Sequence, residues 1–143
     1  MRTLVVCLML ACSHPPPPKP VVAERAVTTF ADVADEWVTS DDLDWGYFLT
    51  IQPDGDFSLS IDRGKLGQCS QHATLLRGST APKFELEVAL DDCHPDRASG
   101  SMFVTFPSFT GTTLTIDELD GDHHERRTYT RAKHACRDQC NNE

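Results

Sequence analysis

Gly46-Tyr47-Phe48-Leu49-Thr50-Ile51 and Phe57-Ser58-Leu59-Ser60-Ile61-Asp62 stand on either side of the short stretch Gln52-Pro53-Asp54-Gly55-Asp56. In the first run Tyr47, Leu49 and Ile51 alternate with Phe48 and Thr50; in the second Phe57, Leu59 and Ile61 alternate with Ser58, Ser60 and Asp62. Successive side chains of a strand point to opposite faces, so each run carries one apolar face. Between them Pro53 presets φ at about −65° and Gly55 is free to take a positive φ, which is turn chemistry. The pair reads as a β-hairpin.

The same alternation recurs on the C-terminal side. Phe84, Leu86, Val88 and Leu90 alternate with Lys83, Glu85, Glu87 and Ala89, a half-buried strand with one wet face. Met102, Val104 and Phe106 make another, closed by Pro107, and Leu114 with Ile116 lies on the next. After an Asp120-Gly121-Asp122 turn, Arg126 to Arg131 form the last strand; Cys69 to Leu76 is a further one with a less regular pattern. Before the hairpin, Phe30, Val33 and Trp37 fall at i, i+3 and i+7, with Thr29 and Asp32 placed to cap, so a short N-terminal helix is expected there. Asp41-Asp42-Leu43-Asp44 then reads as a loop. Seven short strands with turns every ten to fifteen residues, and no interleaved helices, imply a mainly β domain. Its form is a single antiparallel meander, closed as a small barrel or packed as a sandwich. An early Trp and a late strand rich in Tyr and Arg, Arg127-Thr128-Tyr129-Thr130-Arg131, resemble the lipocalin-like small barrels, although Trp45-Gly46 stands in the reverse order of that family's Gly-x-Trp.

The chain begins Met1-Arg2-Thr3, followed by the apolar run Leu4-Val5-Val6-Cys7-Leu8-Met9-Leu10-Ala11. Eight helical residues reach only about 12 Å, against the roughly 30 Å of a bilayer's hydrocarbon core, so residues 1–11 read as a signal peptide and not as a spanning helix. Leu8-Met9-Leu10-Ala11-Cys12 resembles the lipobox of bacterial lipoprotein precursors, with Met9 where Leu is usual. The resemblance implies lipidation of Cys12 as the new N-terminus. Ordinary secretory cleavage at Ala11-Cys12-Ser13 is the alternative. Cysteine parity favours the anchor: with Cys7 removed and Cys12 lipidated, Cys69, Cys93, Cys136 and Cys140 remain, an even number for an oxidising compartment. Ser13 in place of Asp after the lipidated Cys leans toward an outer membrane. Residues 12–25 contain Ser13-His14-Pro15-Pro16-Pro17-Pro18-Lys19-Pro20. Such a run forms an extended tether, holding the domain of residues 26–143 on the order of 25 Å from the membrane.

The formal net charge is −9, and loss of Arg2 with the leader makes it more negative. That excludes nucleic acid as a partner, and direct adhesion to anionic headgroups. Residues 31–62 hold nine acidic side chains and no Lys or Arg, whereas residues 123–143 hold five basic and three acidic ones. The last strand should therefore lie beside the N-terminal third, with Arg126, Arg127 or Arg131 near Asp41, Asp42 or Asp44.

Spacing pairs Cys69 with Cys93, closing a loop worth roughly 3.5 kcal/mol, and Cys136 with Cys140, worth about 2 kcal/mol at most. A metal site at His134-x-Cys136-x-x-x-Cys140, with His123 or His124, would need thiolates that an oxidising compartment removes. His123-His124, beside Asp120, Asp122 and Glu125, reads as a solvated loop tip, and Asp54-Gly55-Asp56 lacks the calcium-loop spacing. No metal ligand or cofactor is assigned. Motifs for nucleophile, metalloprotease or phosphate chemistry do not occur, and the pairs Asp41-Asp42 and Asp91-Asp92 point apart, so no enzyme is expected. Ser101-Met102-Phe103 and Phe106-Pro107-Ser108-Phe109 supply core or an interface. Ser99-Gly100-Ser101-Met102-Phe103 resembles the Ser-Gly-x-x-Tyr loop of lipid-anchored lysozyme inhibitors, with Phe103 for Tyr. The expectation is thus a membrane-anchored, non-enzymatic envelope lipoprotein whose β-domain binds a protein or a small apolar ligand; the alternative is a metal-dependent or carboxylate-based envelope hydrolase.

Overall fold

The computed structural model describes residues 19–40, 46–96 and 100–133. Cys12, Cys136, Cys140, His134 and the acidic residues Asp41, Asp42 and Asp44 lie outside that range. The strands are β1 (Asp35–Ser40), β2 (Gly46–Ile51), β3 (Asp56–Asp62), β4 (Gln68–Leu75), β5 (Lys83–Asp91), β6 (Ser101–Phe109), β7 (Thr113–Asp120) and β8 (His123–Arg131). Each pairs antiparallel with the next, and β8 returns to β1 through Trp37 opposite Arg131 and Val38 opposite Thr130. The meander is closed: it is a barrel, not a sandwich.

The hairpin has the expected register, with Ile51 facing Phe57, Leu49 facing Leu59 and Tyr47 facing Ile61. Gly55 takes φ 104°, its carbonyl accepts from the Leu75 amide at 2.9 Å, and a Cβ there would lie 2.6 Å from that of Leu75. Only glycine satisfies both demands. Inward positions of the strands are apolar and buried, among them Leu49, Ile51, Phe57, Leu59, Leu86, Val104, Leu114 and Ile116. Outward positions are mostly polar, including Glu36, Thr50, Ser58, His72, Glu87, Arg126 and Thr128. A barrel standing in lipid has the reverse arrangement, with its apolar band outward.

The expected N-terminal helix is one 3-10 turn, Phe30–Val33. Thr29 is its N-cap residue, and the Asp32 carboxylate accepts from the amides of Thr29 and Thr28 at 2.8 Å each. Those bonds hold the Asp32 pKa below its ordinary value. Trp37, expected on that helix, belongs instead to β1, which makes eight strands where seven were counted. The i+7 spacing from Phe30 concealed a second periodicity, since Trp37 also alternates with outward Glu36 and a barrel requires a strand to bridge β2 and β8. Trp37 is wholly buried, donates from Nε1 to the Val33 carbonyl at 3.0 Å and packs edge-on against Phe109.

Two bulges depart from simple alternation. The β4–β5 register shifts between His72 opposite Leu90 and Ala73 opposite Val88, leaving Ala89 as the extra residue. A bulge reverses the sense of the alternation beyond it. Leu90, expected inward, is therefore 47% exposed, and Asp91 turns inward to face Gln71. On β6 the strand does not stop at Pro107; the register slips between Thr105 and Ser108, and pairing resumes through Phe109. Bulges are where a sheet tolerates a residue with no amide hydrogen.

Strand directions sort the connections into two ends. The N-terminal segment closes one end: Phe30 meets Phe84 and Phe106 at ring distances of 5.6 and 5.9 Å. There the Arg25 amide donates to the Phe109 carbonyl at 2.6 Å, and the Arg25 guanidinium lies against Gly111, where a Cβ would approach it to 3.1 Å. Strand β8 finishes at this same end. At the opposite end, the mouth, β1, β3, β5 and β7 finish and β2, β4, β6 and β8 begin.

Candidate functional site

Apolar alternation breaks down toward the mouth. Leu114 and Ile116 of β7 are followed on the same inward face by Glu118, only 4% exposed. Tyr129 of β8 is preceded on its inward face by Arg127 and Glu125. The register sets Glu118 directly opposite Glu125 and Ile116 opposite Arg127. Like-charge repulsion across two strands acts on such a pair when both carboxylates are ionised. Arg127 moderates it: its guanidinium pairs with Glu125 Oε1 and lies 3.7 Å from the centre of the Tyr47 ring on β2. Burial works against the charge on Arg127, but Tyr129, Glu125 and Tyr47 outweigh it and hold the pKa above the ordinary value. Tyr129 is buried beneath, and burial, reinforced by Glu118, raises its phenol pKa.

The bulge supplies the opposite wall. Asp91, turned inward, accepts from Gln71 Nε2 at 3.0 Å and from the amides of Cys93 and His94 at 3.1 and 3.0 Å. Its carboxylate also holds His94 Nδ1 at 3.1 Å. The far side of that imidazole, Nε2, lies 3.9 Å from Glu125 Oε2. His123 Nε2 approaches the same oxygen to 3.8 Å, and the two imidazole rings are 6.1 Å apart. Gln71 is 1% exposed, and its Oε1 has no hydrogen-bond partner among the described residues. Chemically the mouth offers two imidazoles on one carboxylate, two opposed glutamates and an anchored guanidinium.

Of the residues singled out in the sequence, Cys69 and Cys93 are joined, with Cα atoms 5.0 Å apart, tying β4 to the chain just past β5. Asp92 lies beside them, but its carboxylate accepts from the Ser70 amide, and bonded sulfurs are not the thiolates a metal needs. His123 and His124 are separated by strand alternation. His123 faces the mouth, whereas His124 turns outward, 3.5 Å from Asp117. Asp54 and Asp56 form turn contacts, with the Asp56 amide donating to Asp54 Oδ1 at 3.4 Å. Met102, Phe106 and Phe109 pack inward, which is the core reading; Phe103 lies outward beneath Lys83. Gln71, His94 and Glu118 are not among the residues the sequence singles out, and Arg127 is expected beside other acids. For Glu118 the signal was available, as a carboxylate in phase with Leu114 and Ile116.

In comparison with known proteins, no family model, no curated protein and no solved structure matches the chain.

Proposed function

We propose that the chain is an exported, lipid-anchored lipoprotein of the cell envelope, anchored through Cys12. Its barrel binds a partner without catalysis. The observation that carries this reading is the segregation of the two ends. The segment continuing from the Pro-rich tether packs on the closed end at Phe109 and Gly111, and the charged, irregular mouth is at the other end. A tethered domain so built presents its mouth away from the surface that holds it. The interior between the ends is occupied by Trp37, Phe57, Tyr129 and their neighbours, which favours a protein partner at the rim over an apolar molecule inside.

The convergence of His94 and His123 on Glu125 favours a second reading, a metal-dependent or carboxylate-based envelope hydrolase. One experiment separates orientation and role. A photo-crosslinking residue replaces Leu66, exposed at the mouth end, or Gln52, exposed at the closed end, in cells fed labelled fatty acid. The label should enter the protein and be lost in Cys12→Ser, and position 66 should give a discrete protein adduct that position 52 does not. Adducts from position 52 alone, or equal labelling of Cys12→Ser, would sink the proposal. Turnover of an envelope ester, amide or glycoside that disappears in Glu125→Gln would favour the hydrolase.

A further inference from the structure

We draw no further inference here: the strongest candidate, the apolar surface patch that the exposed Phe48 ring forms beside Val38 on the outer wall of β1 and β2, carries nothing because nothing in the structure shows what covers it.

Discussion

Asp117 and Glu118 are neighbours on β7, and they show how one residue of offset decides the fate of a carboxylate. Asp117 points outward, where Arg126 grips it through Nε and a terminal nitrogen, both at 2.6 Å. That fork, more than the adjacent His124, holds the Asp117 pKa below its ordinary value. A depressed folded-state pKa contributes stability above the unfolded value of about 3.9, lost as pH falls through the folded value. Asp117→Asn should therefore be less stable than the parent at pH 7, with the gap closing over the window that opens at about pH 4 and runs down through the lowered folded value. Urea titrations at both ends of that window measure it; a gap that stays constant would mean the fork carries no proton linkage. Glu118, turned the other way, joins the opposed pair at the mouth. Residue types alone gave no warning of either outcome, because a single sequence shows phase only where the pattern is regular. Glu118 could be read from its phase with Ile116; Asp91 could not, since its inward turn depends on the unpaired Ala89.

Alternating elements were the most legible level. The strands from β2 onward lie where the apolar period places them, and the disulfide Cys69–Cys93 follows from two strands adjacent in sequence. What escaped was β1, too short to separate a period of two from one of 3.6 when Trp37 satisfies both. The bulges at Ala89 and Pro107 escaped too, as shifts of pairing that leave no mark in composition. The charge argument for β8 holds in its geometry: β8 runs antiparallel to β1. Asp41, Asp42 and Asp44 lie outside the described residues; among those described, the arginines have other acidic neighbours. Arg131 Nε lies 3.1 Å from Asp35, Arg126 pairs with Asp117 and Arg127 with Glu125. Reversing Arg127 and Arg131 together to Glu should destabilise by about 2–4 kcal/mol, because it strands half-buried acids beside new like charges. Lys83→Glu should cost about 1 kcal/mol or less, the loss of an exposed cation lying over the half-buried Phe103 ring. Comparable unfolding midpoints for the two proteins would refute that ranking.

At the scale of the whole molecule the strands close on one another, but not evenly. β7 and β8 stay in register from Thr113 opposite Thr130 to Asp120 opposite His123. Across the closing seam, among the described residues, only Trp37 with Arg131 and Val38 with Thr130 are paired. Among the described residues the cylinder is thus a rolled sheet with a narrow overlap. Little main-chain bonding resists parting there, so local opening should begin at that line, as low-stability segments do in native proteins. Amide exchange should accordingly run faster along β1 than along β7, and uniform protection around the wall would contradict this. The overlap lies low on the wall, nearer the plugged base than the rim. Parting from the rim downward would free the edge of β1 while β7 and β8, paired along their whole length, kept their shape, so the sheet has a built-in line along which it can unroll.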